Sequence, residues 1–294
     1  MSNQKNSCGP FEIATVQEFQ TSAHQLNFMF PDLSPEDFAA TRVFGDDRFV
    51  DPVAGLPRMS YHSIVLRTPQ GIVLVDTCVG AHKKRPLIAE WHMQEYPYLE
   101  RLQQIGLTPG DIDYVCCTHL HGDHVGWNTQ LENGRWVPTF PNARYLIAQT
   151  EYDYWENFHA ANPDHIFRQA WDDSVLPVMT AGQVDKVSSD HEVVTGISLR
   201  PAPGHSPGNV VIDVSDGRHK AVLTGDVVHH PVQIERPDWC TFFDEDSSLA
   251  RDTRIQLLED IADTSTIMLA AHFGGATALL IESAPEYFRY ADPD

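Results

Sequence analysis

The sequence predicts an α/β protein with two mixed β-sheets, face to face and covered by helices. Three observations lead there. Short β-branched runs alternate with amphipathic helical stretches, the same alternation recurs in the second half, and hairpin turns lie among the strands. The length of 294 residues suits one large α/β domain or two small ones, and 42% hydrophobic residues allow a substantial core.

Residues 1–57 read as irregular, punctuated by Pro31, Pro35, Pro52 and Pro57. Within them Ser34 is a helix cap and Pro35 the first helical residue. From Tyr61 the texture changes. Ile64–Leu66 and Ile72–Val75 are strands joined by Thr68-Pro69-Gln70-Gly71, and the second stops at Asp76. Tyr98–Ile105 is an amphipathic helix ending at Gly106, and Ile112–Cys117 is a strand that delivers Thr118. In the second half, Ala143–Ala148 is a strand and Glu151–Phe158 a helix. Ser198–Arg200 leads into Pro203-Gly204-His205, and Val210–Val214 and Ala221–Leu223 flank an Asp216-Gly217 turn. Thr253–Ile261 is a helix, and Thr266–Ala270 a strand stopping just before His272. The expected division is an N-terminal extension, 1–57, packing on a catalytic domain, 58–294.

Charge and cysteine content narrow the partners. The formal net charge of −21 repels nucleic acid and anionic lipid. Five cysteines, with no CxxC pair, indicate neither a disulfide framework nor a thiolate zinc site, and Cys116 and Cys117 read as small core residues. The polar start and the absence of a run of about 18 apolar residues predict a soluble, cytoplasmic chain. The partners left are a small neutral, partly apolar substrate and, as a homodimer, a second copy of the chain.

The decisive segment is Thr118-His119-Leu120-His121-Gly122-Asp123-His124. Four ligand-type side chains lie within six residues, and a metal needs such groups converging at about 2 Å from one point. A loop leaving a strand aims His119 and His121 at one metal, then curls at Gly122 so that Asp123 and His124 face another. His205, Asp226 and His272 each follow a strand, so one sheet edge can collect them. The other histidines, among them His24, His62, His82, His92, His159, His165, His191 and His219, read as surface or packing residues.

HxHxDH, a later GH, a GD and a final H, in that order over about residues 60–275, resemble the metallo-β-lactamase superfamily. The resemblance implies an αβ/βα four-layer sandwich with two metals at one edge. His119, His121 and His205 would hold the first, Asp123, His124 and His272 the second, and Asp226 both. Asp76 matches a position that supports the first cluster from behind. Imidazole and carboxylate ligands suit Zn²⁺, with Fe, Mn or Co as alternatives.

Such a pair of ions about 3.5–4 Å apart shares a water and acidifies it, and the bridging hydroxide attacks a carbonyl carbon or a phosphorus. The catalytic candidates are Asp123, Asp226 and His229. A bridging aspartate argues against a true β-lactamase, His121 against a flavodiiron oxygen reductase, and the acidic chain against a processing ribonuclease. Quorum-quenching lactonases of the superfamily often carry Tyr three residues beyond the bridging Asp. Here that residue is His229, in a pattern similar to the methyl parathion hydrolase branch. His229 is therefore a candidate hydrogen-bond donor or acid at the reacting oxygen, with His230 pointing elsewhere. Phe28, Phe30, Trp127, Trp239, Phe242 and Phe243 are candidate pocket walls. No cationic cluster for a dianion is evident. The leading reading is a hydrolase of carboxylic esters or lactones. Its alternatives are an organophosphate triester hydrolase, a mononuclear iron persulfide dioxygenase and a non-catalytic module.

Overall fold

The computed structural model describes residues 5–276 and 278–293. Residues 1–4 of the expected extension, with Thr277 and Asp294, lie outside the described residues. The chain forms two compact units, Met1–Phe19 with Tyr61–His191 and Gln20–Ser60 with Glu192–Asp294. Each is a mixed seven-stranded sheet flanked by helices, so the fold class is α/β as the sequence predicts. Among the described residues, no helix is long and apolar enough to cross a membrane.

The first sheet holds β1 (Lys5–Cys8), β2 (Phe11–Thr21), β3 (Met59–Thr68), β4 (Gly71–Val75), β5 (Tyr114–Cys117), β8 (Arg144–Ala148) and β9 (Val184–Val187), in that spatial order. β6 (Thr129–Glu132) and β7 (Arg135–Pro138) form a separate ribbon. β3 and β4 make the expected hairpin, with Thr68 opposite Gly71. From β4 through β9 the pairs are parallel. Parallel neighbours need crossovers. Helices α1 (Tyr98–Gln104) and α2 (Gln149–Ala161) lie in two of them. The β4 and β5 carboxyl ends therefore share one edge, where Asp76 and Thr118 leave the sheet.

The second sheet runs in chain order: β10 (Glu192–Val194), β11 (Ile197–Pro201), β12 (Val210–Ser215), β13 (Lys220–Leu223), β14 (Ile267–Leu269), β15 (Ala278–Ser283) and β16 (Phe288–Ala291). β11–β12 and β12–β13 are antiparallel, whereas β13–β14 is parallel across helix α3 (Ser247–Ile261). β11, β13 and β14 thus point the same way, and His205, Asp226 and His272 leave at one edge. Gly204 is required by space as well as conformation. Its φ is +132°, and a Cβ there would lie 2.3 Å from the Ala250 backbone nitrogen on α3.

Two expectations are corrected. The 1–57 stretch is not irregular throughout, because Phe11–Thr21 is the longest strand of its sheet. Phe11, Ile13, Val16 and Phe19 are buried there, as are Ala14, Thr15 and Glu18 between them, and burial on both faces blurs the alternation that marks a strand. Nor does Gly122 serve by unusual dihedrals, since it is absent from the residues with positive φ. Its role is close approach: a Cβ would meet Arg85 Nε at 2.9 Å. Elsewhere the structure agrees in detail. Ser34 Oγ accepts from Asp37 N at 3.0 Å, and Cys116 and Cys117 are buried.

Glu18, fully buried on β2, ties together the segments flanking the histidine loop of this unit. Its carboxylate accepts from Val79 N at 2.8 Å, Gly80 N at 3.0 Å and Trp127 Nε1 at 2.6 Å. Burial pushes its carboxyl up to about 7, against those hydrogen bonds and the charge of Arg101. The folded value exceeds the ordinary 4.5. The protonated carboxyl therefore contributes stability in full below pH 4.5, and the contribution is lost as pH rises through about 7. Glu18→Gln abolishes the titration but turns an amide N–H toward a backbone donor, so the variant should be less stable at pH 5. That deficit should shrink by on the order of 2 kcal/mol by pH 8 in urea denaturation of metal-free protein. A pH-independent deficit would show that Glu18 stays ionised in the fold.

Candidate metal centre

In the first unit, the loop after β5 holds His119 and His124 buried and His121 and Asp123 half-buried. Ring centroids of His119 stand 4.6 Å from His121 and 4.0 Å from His124. Asp76 anchors the loop from below. It accepts from Thr118 N and Thr118 Oγ1, both at 2.8 Å, and from His124 Nδ1 at 2.9 Å. Its φ of +55° is a strained value that a short polar side chain tolerates. Thr118 spends its only hydroxyl proton on Asp76, so His119 Nδ1, 3.1 Å away, is the donor in that pair. In neutral His119 and His124 the protons therefore sit on Nδ1 and the lone pairs on Nε2.

Two further groups grip this loop, and the sequence did not single them out. Buried Glu151 on α2 accepts from Leu120 N at 2.9 Å and Trp155 Nε1 at 2.7 Å, and the Trp155 ring stands edge-on to His121. Behind Gly122, Arg85 makes a bidentate pair with Asp173 at 2.8 and 2.9 Å. Asp173 also holds fully buried Lys83, whose Nζ reaches the Asp173 carbonyl at 3.1 Å. Burial brings Lys83 down to about 7, against the charge of Asp173. A cationic cluster thus exists, but it is enclosed and already paired with an acid.

In the second unit, Asp226, His205, His229 and His272 are all buried. His205 Nδ1 donates to Asp244 Oδ1 at 2.9 Å, and His272 Nδ1 donates to the Ser60 carbonyl at 3.1 Å. Their other nitrogens face the Asp226 carboxylate: His205 Nε2 is 3.4 Å from Oδ2, and His272 Nε2 is 3.1 Å from Oδ1. His229 Nε2 stands 3.1 Å from the same Oδ2. Burial lowers the His229 imidazole below its ordinary value, against the charge of Asp226, and so favours the neutral ring. Lone pairs of neutral imidazoles facing carboxylate lone pairs repel unless a cation lies between them. The donor set, imidazole and carboxylate with no thiolate, fits divalent metal ions.

Asp244 is a second residue that sequence reasoning missed. Its side chain is 0% exposed. Burial would raise its carboxyl, yet the hydrogen bond from His205 and the charge of Arg254 help hold it well below the usual range. Buried Arg254 on α3 straps the same region, donating to the Val227 carbonyl at 2.8 Å and the Pro237 carbonyl at 2.8 Å. His230 turns into packing, where Nε2 donates to the Phe49 carbonyl at 2.8 Å and Nδ1 accepts from Val232 N at 3.2 Å.

The aromatic candidates divide. Trp127 stacks on Tyr98 in the core and is bonded to Glu18, so it is no pocket wall. Phe30 is fully buried and Trp239 nearly so. Phe28 and Phe242 are exposed, and with Phe243 they form one cluster with centroids 5.6–6.3 Å apart.

The profile of the Metallo-beta-lactamase superfamily matches residues 56–270. An N-acyl homoserine lactonase of Bacillus thuringiensis is 25% identical over 221 residues, covering 71% of this chain and 79% of that protein. A lactonase of the same name from Bacillus cereus is 27% identical over the same shares. Among solved structures, the dizinc quorum-quenching lactonase AidC superposes with a TM-score of 0.82 at 20% identity, over 99% of this chain and 97% of that one. The hydrolase AbOPH gives 0.80 at 19%, over 99% and 97%. At these identities the structural likeness is one of fold.

Because Asp244 fixes the His205 tautomer, Asp244→Ala should weaken binding of the ion that His205 would hold by about 10–100-fold. Competition with a chromophoric chelator measures this, with circular dichroism as the control for folding. Unchanged affinity would reduce Asp244 to packing.

Proposed function

Since the chain belongs to the metallo-β-lactamase superfamily, we propose that it is a dinuclear metal-dependent hydrolase of lactones or carboxylic esters. The observation that carries this reading is the convergence on buried Asp226 of imidazoles whose far nitrogens are already committed to Asp244 and Ser60. The proposed ligands are His119, His121 and His205 for one ion, Asp123, His124 and His272 for the other, and Asp226 for both. Zn²⁺ is the favoured ion, and Fe, Mn and Co share the donor preference. When bound, such a pair supplies an acidified water and a Lewis-acid contact for the substrate oxygen.

The chain's own residues do the rest. Asp226 and Asp123 are the carboxylates available to take the proton of the attacking water. Asp76, Asp244 and the Ser60 carbonyl orient the rings and hold Nδ1 protonated. The exposed Phe28–Phe242–Phe243 cluster offers an apolar surface for an acyl or aryl group. The 25–27% identical relatives are N-acyl homoserine lactonases by name, which makes such neutral lactones the first substrates to test. The second reading, phosphotriester hydrolysis at the same site, is favoured by His229 three residues beyond Asp226, the pattern that resembles the methyl parathion hydrolase branch.

The test is elemental analysis with a panel of N-acyl homoserine lactones, aryl esters, phosphotriesters and β-lactams. Two ions per chain and lactone or ester turnover, abolished by chelation and restored by the ions, are expected. A fully loaded protein with one ion would sink the dinuclear reading, and exclusive phosphotriester turnover would promote the alternative. Asp226→Ala should lose ions and most activity together. Protons compete with metal for imidazoles of ordinary value about 6.5, so activity and bound metal should decline in parallel below that pH. Complete acid inactivation with both ions retained would assign the acid limit to another group.

A further inference from the structure

We infer that His229 is itself a metal ligand, an additional imidazole on the ion proposed to lie between His205 and Asp226. The inference rests on the reading above and deepens it. Donor atoms about 2.0–2.1 Å from one ion stand roughly 2.9–3.4 Å apart, whether the shell is octahedral or tetrahedral. Asp226 Oδ2 lies 3.4 Å from His205 Nε2 and 3.1 Å from His229 Nε2, both within that span. His205 and His229, with centroids 4.8 Å apart, approach one carboxylate oxygen from two directions.

The alternative is that Nε2–H of His229 simply donates to Asp226. The geometry argues against it. The 3.1 Å separation from Asp226 is short, but Nε2 does not meet the alignment of a full N–H···O bond there, and Nδ1 has no hydrogen-bond partner among the described residues. The side chain is 3% exposed, which denies it ordinary solvation. A buried imidazole with poorly satisfied nitrogens is costly, and an ion at Nε2 relieves part of that cost. Its placement is also enforced. The His229 amide donates to Gln233 Oε1 at 2.7 Å, and Gln233 Nε2 is fixed on the Trp239 carbonyl at 2.8 Å.

Asp244 is not the added ligand, although His205, His229 and Asp244 each offer an atom within 4.8 Å of the others. Its carboxylate already accepts from His205 Nδ1 and Thr241 N, both at 2.9 Å. With His119 and His121, the first ion would then have five protein donors, and a substrate or water would complete six. Such a shell suits Fe, Co or Mn better than the four-coordinate habit of zinc.

The test uses the full-length protein loaded with Co²⁺, whose visible absorption grows more intense as coordination number falls. His229→Ala should intensify that absorption and weaken retention of one of the two ions by about 10²-fold or more, beyond what loss of an outer partner causes. Added imidazole should restore the original spectrum. Circular dichroism and thermal unfolding of the metal-free variant control for folding, and His230→Ala, in the packing residue next door, should leave the spectrum unchanged. Unchanged spectrum and retention in His229→Ala, with only turnover or its pH profile altered, would overturn the inference in favour of an acid–base role. Failure of the wild-type protein to take up Co²⁺ at this centre would overturn the underlying dinuclear reading as well.

Discussion

The structure depends on one arrangement: a buried carboxylate, Asp226, faced by the Nε2 atoms of three imidazoles. Burying a charge costs several kcal/mol unless it is compensated, and His205, His229 and His272 stand 3.1–3.4 Å from this carboxylate. The available N–H groups point the other way. His205 gives its Nδ1 proton to Asp244, and His272 to the Ser60 carbonyl. In the first unit His124 gives its own to Asp76. Each outer acceptor holds Nδ1 protonated and leaves the lone pair on Nε2, as a metal ligand needs. That arrangement fits the donor set of the proposed metal centre.

The outer groups need support in turn, and the fold supplies it from helices and backbone. Arg254 on α3 lies 3.7 Å from Asp244 while its other donors hold the Val227 and Pro237 carbonyls. One guanidinium thereby ties the loop after β13 to the loop carrying Asp244. In the first unit Glu151 secures the Leu120 amide between two histidines of the loop, and Arg85 with Asp173 fills the space that Gly122 leaves. These contacts are rigid because they are buried and multiply bonded. Rigidity of this kind sets where an imidazole points, and hence how strongly it binds metal.

How far this was legible in the sequence follows from where each residue sits. The 118–124 cluster could be read because its members are contiguous and leave a recognisable strand. His205, Asp226 and His272 could be read because each follows a β-rich run. Asp244 could not: it lies in Phe243-Asp244-Glu245-Asp246, where three acids in a row look like solvated surface. Glu151 was hidden in the same way, as one of several polar residues on a helix. Trp127 misled in the opposite direction, because nearness to the motif suggested a pocket wall while a distant acid, Glu18, claims its indole N–H. β2 was missed because both its faces are buried, which erases the period of two. Partners distant in sequence were the invisible part, since neither spacing nor composition records them.

The charge balance bears on the kind of substrate such a centre can turn over. The chain has 41 acidic against 20 basic residues, and several of the basic ones are spent inside: Lys83, Arg85 and Arg254 are buried. Glu18, Asp76, Glu151, Asp173 and Asp226 are buried as well, so the exterior stays strongly anionic. At physiological ionic strength such a surface acts over about 8 Å, enough to oppose approach of a polyanion. A neutral lactone or ester meets no such barrier. Its hydrolysis, as proposed, would create a carboxylate that the surrounding negative charge would help to expel. On the proposed function, acidity outside would act on both ends of the reaction, admitting a neutral substrate and discouraging the return of its anionic product.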